Sequence, residues 1–279
     1  WIDALCNYLT AIDYPDTSSQ KYSKYWPAIH VVGKDILRFH AVYWPAFLLA
    51  AELKPPKKIF AHGWWTNEGK KISKSLGNTI DPYEIINEYG LDQIRYFLFS
   101  EVPFGNDGDF SKKAISKRVN ADLSNNYGNL IQRILSFLVK NCNSTINPVY
   151  DYNNDDFNLI ENFKVKYLEY KNFMDNLQID KAIKSIMELL SLTNAYVDLQ
   201  APWKLKKNDL KRMETVLFIT VNIIIKSTIM LSPIIPSSSK RVLKFFNDEI
   251  TYQTFNDFNK FTDKIIKINS PTPIFPRIE

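Results

Sequence analysis

The chain has 279 residues, 45% of them hydrophobic and 23% charged, with a formal net charge of +5; this composition excludes a disordered or fibrous polymer and leaves room for one large domain or two ordinary ones. The mild positive balance permits a nucleic-acid partner without requiring one. Only Cys6 and Cys142 occur, far apart and with no CxxC pair, which argues against a disulfide framework or a cysteine zinc site and fits a reducing, cytoplasmic setting.

The chain opens on Trp1 rather than Met and reads as the interior of a longer protein. The segment "WPAIHVVGKDILRFHAVYWPAFLLAAEL" predicts a short strand from Ile29 to Val32, a turn at Gly33 and a helix to about Leu53. "PPKKIFAHGWWT" begins with a proline break and predicts a second strand from Lys58 to His62. Strand, glycine turn, helix, strand is the order of a parallel α/β sheet. The polar stretch "GKKISKSLGNTI" follows. "DPYEIINEYG" then predicts a short helix with Asp81 at its N-cap, Pro82 at its first position and Gly90 at its end, and "LDQIRYFLFSEV" predicts another.

After the Gly/Asp-rich turn "FGNDGDFS", helical spacing dominates. Apolar residues recurring every three or four positions predict helices over Lys112–Lys140, Asn158–Asn176, Ile179–Leu199, Leu210–Leu231 and Ser238–Asn247. The most apolar run, "VLFITVNIIIKSTIMLSPIIP", is interrupted by Asn222 and Lys226 and reads as a buried helix rather than a membrane span, so no membrane partner is expected. The fold class is an α/β remnant followed by an all-α helical bundle.

Four groups of residues carry possible chemistry. Three lysines within six residues, with Ser73 and Ser75 and with Gly69 and Gly77 on either side, suit a polyphosphate, because a lysine ammonium is a compact charge on a flexible stem. A solvated surface loop is the competing reading. Gly33–Asp35 lies where a strand ends and a helix begins, the edge of a parallel sheet at which nucleotides bind; Asp35 also reads as a first-turn acid favoured by the helix dipole. Ile36 and His40 are four apart and share one helix face. With Trp1, Ala4, Leu5 and Tyr8 they would line an aromatic and apolar pocket that suits a thioether, although each residue taken singly also reads as core. Trp44 reads as pocket wall or core. In the helical half, Asn129 and Arg133 share a face with side-chain types that read base edges, and Trp203, following Pro202, would stack on an unpaired base. A capped helix with a packed tryptophan is the alternative there.

The segment "KISKS" resembles the KMSKS signature of class I aminoacyl-tRNA synthetases, with Ile72 in place of Met. "FAHGWWTNEGKKISKSLGN", "VVGKDILRFHAVYWPAFL", "WIDAL", "RVNADLSNNYGNLIQR", "QAPWKLKK" and "PTPIFPRIE" are similar, in order, to methionyl-tRNA synthetases. This resemblance implies three segments: residues 1–62 as the C-terminal half of a Rossmann-like catalytic domain, 63–115 as the signature loop and stem-contact region, and 116–279 as the anticodon-binding domain. It implies ATP binding by Gly33, Asp35, Lys71, Ser73, Lys74 and Ser75, with Lys71 and Lys74 catalytic. It implies methionine binding by Trp1, Ala4, Leu5, Tyr8, Ile36 and His40, and reading of a CAU anticodon by Asn129, Arg133 and Trp203, with Lys112, Lys113, Lys117, Arg118, Lys204, Lys206 and Lys207 near phosphates. Many bacterial members carry proline where Leu5 stands.

Its implied partners are L-methionine and tRNA(Met), its substrate ATP with Mg²⁺, its state a cytoplasmic monomer. No HIGH-type tetrapeptide and no zinc site are read within these residues, so the chain alone is expected to be inactive in adenylation. Two rival readings stay open: a related class I synthetase for Val, Ile, Leu or Cys, and a tRNA-binding module without catalysis.

Overall fold

The computed structural model describes residues 1–73, 77–103, 105–246, 258 and 260–278. The chain forms two compact units, Trp1–Gly77 with Phe104–Asp109, and Asn78–Pro103 with Phe110–Glu279.

In the first unit, strands β1 (Ile29–Gly33) and β2 (Lys58–His62) pair in parallel, in register from Ile29 opposite Lys58 to Gly33 opposite His62. That is the α/β arrangement expected from the strand–turn–helix–strand order. The crossover differs from the single helix to Leu53 that the spacing suggested. A 3-10 turn (Lys34–Ile36) leads to a wider π-helical turn (Phe39–Tyr43) and only then to an α-helix (Trp44–Ala50). Pro45 has no amide hydrogen to give to the turn before it, which interrupts the α-helical ladder at that point.

Ahead of β1 lie helix α1 (Ile2–Thr10) and helix α2 (Gln20–Tyr25), the latter capped by Ser19, whose hydroxyl accepts the Tyr22 amide at 3.0 Å. Leu5, Leu9, Trp26, Trp44 and Leu48 form the core beneath them. The crossover's α-helix (Trp44–Ala50) is α3. After β2, strands β3 (Trp65–Asn67) and β4 (Lys70–Lys71) make an antiparallel hairpin. Its two turn residues, Glu68 and Gly69, both have positive φ (50° and 75°), the conformation of a type I′ turn matched to strand twist. Strand β5 (Gly108–Phe110) flanks β3, with the Gly108 amide donating to the Trp64 carbonyl at 2.8 Å.

The second unit is helical. Helix α4 (Pro82–Tyr89) starts as its sequence dictates: the Asp81 carboxylate accepts the Tyr83 amide at 2.8 Å, Pro82 occupies the first turn and Gly90 ends the helix with φ 94°. Helix α5 (Leu91–Glu101) follows. The predicted helix Lys112–Lys140 is continuous but not uniform: α6 (Lys112–Arg118), a π-helical stretch (Val119–Gly128) and α7 (Asn129–Asn141). Inside the wide stretch, the Asn194 side chain donates to the Asn126 carbonyl at 3.2 Å, an insertion of the kind that opens a helical ladder.

Helix α8 (Asn154–Asp175) begins four residues before the apolar pattern does. Asn153 and Asp156 exchange side-chain-to-amide bonds at 3.1 and 2.9 Å, a capping box that fixes this start. Helix α9 (Ile179–Gln200) ends at Ala201, whose φ of 45° turns the chain into α10 (Pro202–Asn208). Helix α11 (Leu210–Leu231) has the predicted limits. Helix α12 (Pro236–Leu243) starts earlier than Ser238 because Pro236 supplies its first turn, and it stops at Leu243; the expected end at Asn247 lies outside the described residues. Strands β6 (Thr145–Ile146) and β7 (Ile266–Lys267) pair antiparallel.

Helix α11 is long and apolar enough to cross a membrane, yet 89% of its most apolar window is buried within this unit. Asn222 is satisfied there, donating to the Phe218 carbonyl at 2.9 Å and accepting the Thr262 amide at 3.0 Å, while the Lys226 ammonium lies over the Phe258 ring at 4.7 Å. At the start of α8, Asp156 is fully buried and accepts from both Arg212 and Tyr196.

Candidate functional site

In the first unit, α1 and the crossover bring Tyr8 and His40 together. The Tyr8 hydroxyl and His40 Nε2 are 3.0 Å apart, and His40 Nδ1 is 3.0 Å from the Ile36 carbonyl. A carbonyl only accepts, so Nδ1 carries the hydrogen of the neutral ring and Nε2 accepts from the tyrosine. His40 is 1% exposed whereas Tyr8 is 39% exposed, so the pair forms a polar tip at the floor of an otherwise aromatic surface. Trp1 stacks on Phe39 at 4.1 Å, beside His40 in sequence, and stays open to solvent. Ala4 is exposed, Ile36 half-buried.

Two residues of this group sit elsewhere than at an open wall. The Leu5 side chain is buried in the core under α1, and Trp44 is buried beside it. The Tyr8 ring also packs 4.5 Å from His30, a residue the sequence reading did not single out. Burial, with His40 next to it, holds the His30 imidazole below the ordinary histidine range, and its Nε2 has no hydrogen-bond partner among the described residues. Tyr8, Trp26, His30 and Val31 line an open groove of about 650 Å³, with Lys24 and Lys57 on its rim.

At the end of β1, a Cβ added to Gly33 would stand 2.4 Å from Asp35 Oδ1, so the absence of a side chain there is what lets the carboxylate fold back over the strand end. Asp35 itself is exposed. Its neighbour Lys34 forms an ion pair with Asp107 at 2.6 Å and lies 4.3 Å over the Trp64 ring. Lys71 is exposed on β4, opposite Thr66, and Ser73 is half-buried just beyond it. Lys74 and Ser75 lie outside the described residues.

Residues 1–135 match the family described as tRNA synthetases class I (M), and residues 149–278 match the anticodon binding domain of methionyl tRNA ligase. The chain belongs to the methionyl-tRNA synthetase family. It is 45% identical to the methionine–tRNA ligase of Rickettsia felis, over 100% of this chain and 56% of that protein, and 43% identical to that of Brucella melitensis, over 99% of this chain and 54% of that protein. Among solved structures, the Mycobacterium tuberculosis methionyl-tRNA synthetase in complex with methionyl-adenylate superposes with a TM-score of 0.89 at 38% identity, covering 99% of this chain and 55% of that one. The chain thus spans about 56% of the length of the first of these curated relatives.

The region matched to the methionyl anticodon-binding domain contains Trp203, and the structure brings Arg133 to it from α7. The Arg133 guanidinium lies 5.8 Å over the Trp203 ring, donates to Asp198 at 2.7 Å and to Asn194 at 3.1 Å, and leaves Nε buried without a partner among the described residues. Trp203 is 41% exposed, held at the start of α10 by Pro202 and the left-handed Ala201. Asn129, one turn before Arg133, is exposed on the same helix. Asn194 and Asp198, four apart on α9, orient the guanidinium and were missed by sequence reading, since their partner is more than 60 residues away.

Several cations proposed near phosphates are already engaged: Lys112 with Glu88 at 2.7 Å, Arg118 with Glu101 at 2.9 Å, and Lys206 with the Asn141 carbonyl oxygen of its side chain at 2.6 Å. Among the described residues, no group of three or more His, Cys, Asp or Glu side chains is placed to hold a metal ion.

Proposed function

We propose that the protein of which this chain forms part activates L-methionine with Mg²⁺–ATP to methionyl-adenylate and then transfers the methionyl group to the terminal adenosine of tRNA(Met). The observation that carries this reading is the Tyr8–His40 pair, a fixed polar contact beside the Trp1–Phe39 stack and the Ile36 carbonyl. Sulfur packs well against ring edges, and the Trp1 and Tyr8 rings, both open to solvent, offer them. Family membership and the methionyl-adenylate complex of the M. tuberculosis relative support the same assignment.

In this reading the methionine carboxylate attacks the α-phosphorus of ATP and pyrophosphate leaves. No protein nucleophile takes part. The chain's residues act by placement and charge: Trp1, Ala4, Leu5, Tyr8, Ile36 and His40 hold the amino acid, Leu5 from beneath through the core. Gly33 and Asp35 receive the ribose, and Lys71, Ser73, Lys74 and Ser75 face the triphosphate, with the two lysines offsetting the charge that builds on it. In this reading residues 1–62 are the C-terminal half of the Rossmann-like catalytic domain, 63–115 carry the signature loop and the stem contact, and 116–279 serve the anticodon. In the helical unit, Asn129, Arg133 and Trp203 read CAU, with Trp203 as the stacking platform. We place the protein in the cytoplasm as a monomer, which sedimentation would test.

The deciding experiment is pyrophosphate exchange by the full-length protein with each of the twenty amino acids in turn. Exchange driven by methionine is expected; exchange driven by valine, isoleucine, leucine or cysteine instead would place the protein with a sister enzyme. Absence of any exchange, with retained binding of a CAU stem-loop, would favour a tRNA-binding module, which the Arg133–Trp203 geometry alone would also serve.

A further inference from the structure

The turn "FGNDGDFS" carries two carboxylates that grip different parts of the first unit. Asp107 accepts from the Lys34 ammonium at 2.6 and 2.7 Å through its two oxygens, and Oδ1 also accepts the Trp64 amide at 2.8 Å. Asp109 Oδ1 accepts the Thr66 hydroxyl and the Gly69 amide, both at 2.7 Å. The first carboxylate therefore ties the Gly33–Asp35 corner to the entry of the hairpin, and the second ties down its type I′ tip.

The turn is seated closely as well. A Cβ on Gly63 would stand 2.1 Å from the Asn106 carbonyl oxygen, so the two backbones touch where β2 ends. Gly105 has φ 105°, a conformation that favours glycine, and its Cβ position faces the Ala61 carbonyl at 3.5 Å. Residues 105–109 arrive here between α5 and α6, whose residues belong to the other unit, and yet they belong to the first unit. Backbone and side-chain donors hold both carboxyls below their usual range: for Asp107 the Lys34 bond leads, for Asp109 the Gly69 amide.

We infer that Asp107 and Asp109 are positioning residues for adenylate formation. They fix the ribose-facing corner and the hairpin bearing Lys70 and Lys71 in one frame, so that both meet a single nucleotide without reorganising. This inference rests on the function proposed above. Charge-assisted bonds of about 2.7 Å are the strong kind, and misplacement of a charge-stabilising group by about an ångström is enough to slow chemistry by about a hundredfold. Neither aspartate touches the reacting atoms; each acts through Lys34, Trp64, Thr66 or Gly69.

The test uses full-length protein for kinetics and the 279-residue chain for hydrogen exchange. Asp109→Ala should lower kcat for methionine-dependent pyrophosphate exchange about tenfold or more while leaving the KM for methionine within about twofold. Asp109→Asn keeps an acceptor oxygen for both donors and should recover most of that loss. Thr66→Val, which removes one of the two bonds, should fall between them and serves if the alanine variant fails to fold. In the 279-residue chain, protection of the Gly69 amide should be lost in Asp109→Ala and kept in Asp109→Asn. Unchanged kcat in Asp109→Ala, equal loss in alanine and asparagine variants, or a methionine KM that rises with the loss of kcat would overturn the inference. A wild-type protein without methionine-dependent exchange would instead sink the proposed function, and the Gly69 protection would still report whether the clamp exists.

Discussion

Tyr8 and His40 are joined by a hydrogen bond whose direction is set from the far side of the imidazole, where Nδ1–H is committed to the Ile36 carbonyl. The pair therefore presents a phenol whose proton is given to nitrogen, a state that breaks if either partner changes.

Tyr8→Phe preserves the ring that packs against His30 but removes the donor to His40, stranding a buried Nε2. An unsatisfied buried acceptor costs about 1–3 kcal/mol. The expected outcome in pyrophosphate exchange by the full-length protein is a methionine KM raised about tenfold, with the KM for ATP little changed. A methionine KM equal to that of the wild type would remove Tyr8 from the amino-acid site.

Gly33→Ala separates ligand placement from folding. Gly33 has φ −67°, which alanine adopts freely, and the new methyl is crowded by the far end of the Asp35 side chain, at 2.4 Å, while His62 Cε1 at 3.8 Å is in ordinary contact. The fold should survive, with a melting temperature within about 4 °C of the wild type, since a change of about 1 kcal/mol moves Tm by that order. The KM for ATP should rise about fivefold or more because the carboxylate is pushed off the strand end. Unchanged ATP kinetics would take Asp35 out of the nucleotide corner.

Trp203→Ala in the 279-residue chain should weaken binding of a CAU anticodon stem-loop by about 1–3 kcal/mol, the worth of one stacked base, measured by titration at fixed salt. Arg133→Gln should act similarly and also release Asp198, which it now pairs at 2.7 Å. Binding of a scrambled loop should change little in either variant, and the salt slope should stay the same, because neither residue is assigned to phosphate. Equal losses for both loops would reassign the two residues to general adhesion.

The helical unit should carry an acid-sensitive lock at Asp156. Burial alone would raise its carboxyl, but the Arg212 and Tyr196 bonds and the Asn153 amide outweigh it and hold it below the usual range. A depressed carboxyl stabilises the fold above the unfolded value of about 3.9 and loses that contribution as pH falls through the folded value. Urea midpoints should therefore drop as pH falls below about 3.9 in the wild type. Asp156→Asn should be less stable by about 3–5 kcal/mol at neutral pH, because Arg212 keeps its Gln200 bonds but loses its counter-charge, and should show a flatter acid limb. Parallel acid limbs in the two proteins would contradict this.

Much of the fold is written in local patterns. The apolar runs at Ile29 and Lys58, separated by one crossover, specify the parallel pair, and α11 is legible to the residue because its helical spacing persists across Asn222 and Lys226 from Leu210 to Leu231. The π-helical stretch Val119–Gly128 is not legible, since it depends on Asn194 reaching Asn126 from another helix. The site shows the same division. Tyr8, His40 and the Gly33–Asp35 corner can be named from motif and spacing, whereas the burial of Leu5, the packing of His30 and the Arg133–Asp198 pair arise from contacts between segments far apart in sequence. Polar capping, not apolar spacing, sets the start of α8, which is why the hydrophobic pattern places it four residues late.

The most direct test of the whole account is charging of a tRNA(Met) transcript with methionine by the full-length protein, beside the same transcript with its CAU anticodon replaced. Efficient charging of the first, falling at least about a hundredfold in kcat/KM for the second, is the predicted result, since loss of two or more base contacts at about 1–3 kcal/mol each is that large. Equal charging of both transcripts, or charging with another amino acid in preference to methionine, would contradict it.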